Sequence, residues 1–290
     1  MKPQVVHRIK LAGTRGEPIH FYRTIRSHGL AGLPPASIDS SKQTLRTVLR
    51  LDGVPVPIEL RGAGNAMEVI AGVTLDAARR AALFDSVSRM FRLDDDLTPF
   101  YAMIADDTTL QWASNGAGRL LASPTVFEDV IKTVCTTNCA WSATVRMTTA
   151  LVELGGGAFP DARLLADTPD AWYRDRARMG YRGAYVREIA RAVASGACDL
   201  ESLLPRFGMS DAQVEGALLE LPGIGPYGAA HIMQLLGRHR NLILDSWTRP
   251  TFLRLAKKKR AKDATIVRTF ARYGPYAGLA FWLYLTRDWT

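Results

Sequence analysis

One acidic side chain stands out by its setting. Asp245 closes a short apolar run, Leu242-Ile243-Leu244, and precedes Ser246-Trp247-Thr248-Arg249, where a helix is expected to begin with Pro250 in its first turn. An Asp there is suited to capping its helix. A carboxylate fixed on a rigid element can also stabilise a centre that turns positive during a reaction. Some twenty residues upstream lies Leu221-Pro222-Gly223-Ile224-Gly225-Pro226, a tight glycine turn opening into a helix. The first N–H groups of a helix have no internal partner and carry the positive end of its dipole, so this turn offers an anion site. Bare glycine at Gly223, Gly225 and Gly228 lets a phosphate backbone come close.

The elements around the turn follow from periodicity. Ser210 and Asp211 are capping types, and Val214, Leu218 and Leu219 recur at helical spacing up to the stop at Pro222. Pro226 suits the first position of the next helix. Ala229, Ala230, Ile232, Met233, Leu235 and Leu236 make that helix apolar on more than one face, and Gly237 ends it. The result is a helix-hairpin-helix over residues 210–237, followed by a single acid.

This pattern resembles the helix-hairpin-helix DNA glycosylases with the Gly-Pro-Asp motif, in which a Leu-Pro-Gly-x-Gly hairpin precedes an aspartate at the start of the next helix. Leu221 to Ala229 matches the hairpin, and Asp245 matches the acid. The resemblance extends to Gly180-Tyr181-Arg182, whose arginine reaches toward the orphaned base, and to a turn residue near Asn138, which enters the gap left by the flipped nucleotide. It also covers Gly274-Pro275-Tyr276, which opens a C-terminal helix lining the base pocket. On that helix Phe281 stands where the 8-oxoguanine branch has a base-reading glutamine.

Composition sets the broad class. The 290 residues carry 37 Lys and Arg against 28 Asp and Glu, a formal charge of +9 that favours polyanionic partners without proving one. Three cysteines without a CxxC pair argue for a reducing compartment and against a disulfide framework or a four-cysteine iron–sulfur cluster. The beginning, MKPQVVHRIK, lacks a signal-peptide core, and the apolar run 278–285 is too short to span a bilayer.

Before the hairpin, strands are expected at Val5–Leu11, Gln43–Leu51, Val54–Leu60 and Ala66–Ile70, with a short helix within Pro18–His28 and a loop from Gly29 to Ser41. A helix over Thr74–Phe91, capped by Thr74, follows. Asp94-Asp95-Asp96 reads as solvent-facing caps for a Leu97–Ile104 helix rather than a metal site. Pro124–Leu154 reads as two helices broken at Thr136-Thr137-Asn138, and another helix runs from Ala184 to Ser195. Lys257-Lys258-Lys259-Arg260-Ala261-Lys262 suits either a solvated helix end or flanking phosphates. The expected fold class is α+β. An N-terminal antiparallel sheet (1–73) packs on a mostly helical glycosylase domain (74–290) of two subdomains with the active-site cleft between them.

The resemblance implies a base-excision enzyme acting on double-stranded DNA that carries a damaged base, a cytoplasmic, nucleoid-associated bacterial monomer without a membrane partner. Asp245 would stabilise an oxocarbenium-like centre as the N-glycosidic bond breaks. Tyr227, Trp247, Phe281 and Trp282 would form the base pocket, and Asn138, Arg182, Gly223, Gly225 and Gly228 would hold DNA. Bifunctional relatives place a Schiff-base lysine where this chain has Tyr227, which implies a monofunctional enzyme using water. No cofactor is required, although the family binds a monovalent cation through carbonyls matching Leu219, Leu221 and Ile224. The sheet-then-helices order and aromatic content suggest an alkylated purine as the target. The alternatives are an 8-oxoguanine enzyme and a non-catalytic binder of DNA structure.

Overall fold

The strand-like alternation near the start of the chain becomes a single sheet in the computed structural model, which describes residues 4–289. Its strands are β1 (Gln4–Lys10), β2 (Ser37–Asp39), β3 (Thr44–Leu51), β4 (Val54–Ala63) and β5 (Ala66–Ala71), with helix α1 (Phe21–Ile25) between the first two. The order is β1-β5-β4-β3-β2, antiparallel at every pairing. β2 falls in the stretch expected as loop. It has three residues and an edge position, so pairing with β3, Ile38 opposite Leu45, defines it rather than any pattern of its own. The buried face, including Leu49, Leu60 and Val69, packs on Leu83, Val87 and Phe91 of α2 (Ala77–Phe91). Asp76, not Thr74, caps α2: its Oδ1 accepts the Arg79 N–H at 2.8 Å.

Helix α3 (Thr98–Met103) follows the acidic run. Asp96 Oδ1 accepts the Thr98 N–H at 2.9 Å, which is the expected cap, but Asp95 is folded onto Arg92 rather than left in water. No metal-binding group of three or more His, Cys, Asp or Glu exists among the described residues. Further on come α4 (Val126–Thr136), α5 (Trp141–Leu154), α6 (Ala162–Asp167) and α7 (Arg182–Ala194). The hairpin pair is α8 (Asp211–Leu219) and α9 (Pro226–Leu235), and the chain closes with α10 (Thr248–Leu255), α11 (Asp263–Phe270) and α12 (Ala277–Thr286).

These helices enclose two cores. One gathers α4 to α9 around Val130, Leu151, Val186 and Leu218. The other gathers α3 and α10 to α12 around Phe100, Phe252, Phe270 and Phe281. Helix α9 serves both: Ile232 and Met233 point into the first, Ala230 and Leu235 into the second. That explains why its sequence is apolar on more than one face. Buried ion pairing ties the sheet side to this seam. Arg119 bonds Glu17 at 2.6 Å, and the Arg92 guanidinium donates to the Gln234 carbonyl at the end of α9. No helix among the described residues is long and apolar enough to cross a membrane.

Candidate active site

The hairpin forms as its residue types require. Ser210 Oγ accepts the Gln213 N–H at 3.3 Å and Gln213 Oε1 accepts the Ser210 N–H at 2.9 Å, a capping box that starts α8. In the turn the Ile224 N–H donates to the Leu221 carbonyl at 3.1 Å, and the Ile224 side chain is buried in the first helical core. Gly223 has φ +82, open to glycine at little cost, and a Cβ there would meet the Tyr185 ring at 2.6 Å. Gly225 is extended, with φ −101, and a Cβ there would meet nothing within 4 Å. Among the described hydrogen bonds none uses the N–H of Gly223, Gly225, Tyr227 or Gly228. All four residues line one cleft of about 1010 Å³. The turn therefore presents a set of free donors at the positive end of α9.

Asp245 stands on the same cleft. Its Oδ1 accepts the N–H groups of Trp247 at 2.8 Å and Thr248 at 2.6 Å, and its own N–H donates to Thr248 Oγ1 at 2.8 Å. The capping role and a functional role are thus compatible, because Oδ1 does the capping and Oδ2 has no partner among the described hydrogen bonds and ion pairs. The neighbouring cation, Arg249, is held by Asp263 at 2.7 Å. Asp245 is the sole Asp, Glu, Lys or Arg among the described residues lining the cleft.

Aromatic rings make up much of the wall. Trp247, Trp282 and Trp289 cluster with centroids 5.4–6.0 Å apart, and Trp282 Nε1 donates to the Ser27 carbonyl at 2.8 Å. Tyr227 reaches in from the first turn of α9, and burial together with the nearby Asp245 charge pushes its phenol pKa up. One turn deeper is His231, whose imidazole burial pushes down to about 3. Trp141, at the start of α5, is half exposed on the opposite lip beside Gly29.

Two expected positions are corrected. Phe281 is fully buried and packs on Phe270 and Phe252 in the second helical core, so it is not a pocket residue. Adjacent residues on a helix point about 100° apart, and on α12 it is Trp282 that faces the cleft. Arg182 does not reach outward. It is buried, with Nε 2.9 Å from the Thr137 carbonyl and Nη2 2.8 Å from the Asn138 carbonyl. It holds the α4–α5 break in shape, while its neighbour Tyr181 is the exposed member of the pair.

Asn138 lies in that break with φ +46 and lines the cleft, and Ala140 rather than Asn138 holds the cap position of α5. The run from Lys257 to Lys262 forms an exposed loop between α10 and α11. Sequence reasoning missed Trp141, His231 and Trp289, and also Gly29 and Leu30, which bring the sheet side of the chain to the cleft. Of these only the one-turn spacing of Tyr227 and His231, four residues apart on one helix face, was available as a local signal.

No family model matches the chain. It is 26% identical over 265 residues to a probable N-glycosylase/DNA lyase of Methanothermobacter thermautotrophicus, covering 80% of this chain and 82% of that one. Its fold is similar to that of a 3-methyladenine DNA glycosylase from Archaeoglobus fulgidus, with TM-score 0.73 at 19% identity over 98% of this chain and 99% of the other. It is also similar to a Clostridium acetobutylicum 8-oxoguanine glycosylase/lyase bound to double-stranded DNA with cytosine opposite the lesion. There the TM-score is 0.65 at 16% identity over 90% of this chain and 92% of the other.

Proposed function

We propose that this chain, which has the fold and hairpin motif of the helix-hairpin-helix DNA glycosylases, releases a damaged base from duplex DNA and leaves an abasic site. The free N–H groups of Gly223, Gly225, Tyr227 and Gly228 grip a backbone phosphate without reading sequence. The damaged nucleotide is extruded, at a cost of a few kcal/mol, into the cleft between the helical cores. As the bond from C1′ to the base nitrogen lengthens, its electron pair leaves with the base and positive charge grows on the sugar. The unpartnered Oδ2 of Asp245 stabilises that charge, and water adds its oxygen to C1′ and loses a proton.

What the cleft lacks supports one class of leaving base. Its single carboxylate has to stay ionised, Tyr227 is pushed away from neutral titration by burial, and His231 is neutral. Among the described lining residues nothing is poised to protonate a departing base. An alkylated purine already carries positive charge and departs neutral without a proton. The tryptophan cluster adds electron-rich faces suited to a cationic ring. This absence of a general acid beside Asp245 is the observation that carries the reading. A released-base assay by mass spectrometry over duplexes bearing 3-methyladenine, 7-methylguanine and 8-oxoguanine tests it. Release of the methylated bases is expected, and release of 8-oxoguanine alone contradicts it.

The second reading, an 8-oxoguanine enzyme, is supported by likeness to the Clostridium enzyme, but buried Phe281 and inward Arg182 weaken it. Tyr227 in place of a lysine supports base release without strand cleavage. The carbonyls of Leu219 and Ile224 accept no described hydrogen bond, and Leu221 accepts only that of Ile224, so these oxygens fit a monovalent cation that would brace the turn.

A further inference from the structure

Two histidines meet beside the cleft, His231 lining it and His28 packed behind, with nitrogens that nothing in the described chain satisfies. His28, between α1 and the following turn of 3₁₀ helix, sits edge-to-face on His231 of α9 with ring centroids 5.3 Å apart. His28 Nε2 is 2.8 Å from the Leu121 carbonyl. A carbonyl only accepts, so this nitrogen carries the proton and His28 Nδ1 is a bare acceptor. That Nδ1 and His231 Nε2 are both buried without a partner among the described residues. Burial keeps both rings neutral near pH 7, with His28 pushed down to about 4 and His231 to about 3.

Each neutral imidazole has one donor and one acceptor. Two bare acceptors sealed together are unfavourable; the two nitrogens do not bond each other directly, and a proton on His231 Nε2 is matched to the His28 acceptor through one bridging water. His231 then keeps its Nδ1 bare. That nitrogen has no partner among the described hydrogen bonds, and His231 lines the cleft one turn below Tyr227. We infer that His231 presents an acceptor nitrogen to the extruded base, selecting bases that offer an N–H there, an exocyclic amine above all, and that the Leu121–His28 contact fixes the tautomer. This rests on the glycosylase reading and adds to it the edge of the base that is recognised. A site built to pair a substrate N–H discriminates strongly, because losing the partner leaves a buried polar atom unsatisfied.

Two measurements test it. Long-range nitrogen–proton NMR of the ring nitrogens of the wild-type chain is expected to report His231 with Nε2 protonated and Nδ1 bare. The opposite tautomer overturns the inference. Base release is then timed on matched duplexes, one bearing an alkylated adenine and one bearing the same lesion with its amine replaced by hydrogen. The wild-type rate ratio divided by that of His231→Phe cancels the intrinsic difference between the lesions. A quotient of about tenfold or more is expected, and one within twofold overturns the inference. If the wild type releases neither lesion, the alkylated-purine reading is what fails. The inference is then decided by the NMR tautomer and by the affinity of the wild-type chain for free 3-methyladenine against 3-methylpurine, where equal affinity overturns it.

Discussion

Gly223 and Gly225 are two residues apart in one turn, and the structure gives them different reasons to be glycine. At Gly223, φ is +82 and an added Cβ would come within 2.6 Å of the Tyr185 ring. An L side chain in the left-handed region costs about 1–2 kcal/mol, and displacing a packed ring about 1–3 kcal/mol more. Gly223→Ala should therefore lose roughly 2–5 kcal/mol of stability, which lowers Tm by roughly 5–15 °C. At Gly225, φ is −101 and nothing lies within 4 Å of the added atom, so Gly225→Ala should melt with the wild type. Its methyl group projects where the phosphate is to approach, and loss of one charge-assisted contact weakens binding about tenfold or more. Thermal melts followed by titration of a labelled abasic duplex at fixed salt separate the two effects. Wild-type DNA affinity in Gly225→Ala would refute the hairpin as the phosphate grip, and an unshifted Tm in Gly223→Ala would refute the strain argument.

Three further outcomes follow from the same geometry. Phe281→Ala should cost about 3–5 kcal/mol in urea unfolding as a core cavity, yet leave the ranking of released bases unchanged; an altered ranking would return Phe281 to the pocket. Burial holds His28 at about 4, His231 at about 3 and His239 well below its ordinary 6.5, so below pH 6.5 the unfolded chain binds protons that the folded chain does not. Their contribution is therefore complete above pH 6.5 and is lost as pH falls toward 4, with a slope approaching about 1.4 kcal/mol per pH unit for each; equal urea midpoints at pH 7 and pH 5 would contradict this. With Tyr227 in the lysine position, borohydride should trap no covalent complex with DNA and strands should break only after alkali, whereas trapping by the wild type would contradict the water mechanism.

What could be read in advance was what rests on local chemistry. Glycine and proline fix the hairpin, period-2 alternation gives strands β3 and β4, and Asp245 announces itself by closing an apolar run. Errors came where a side chain's direction depends on distant packing. Phe281 and Trp282 look equally suited to a base, and only the seating of α12 on Phe252 and Phe270 decides which one turns inward. Arg182 reads as a DNA contact until the carbonyls of Thr137 and Asn138 are seen to occupy it. His231 has only its one-turn spacing from Tyr227 as a signal, since His28, on which it packs, lies 203 positions earlier, and Trp289 joins Trp247 and Trp282 only through the fold.

Everything proposed for the chemistry converges on the Oδ2 of Asp245. Asp245→Asn keeps an oxygen to cap α10 through Trp247 and Thr248, so the fold and the duplex grip should survive while the negative charge is lost. Single-turnover release of 3-methyladenine, measured beside duplex affinity, is the direct measurement. The expected result is a rate lowered about 10²–10³-fold with affinity unchanged within twofold. A rate within a few-fold of wild type would mean that this carboxylate is a helix cap and nothing more.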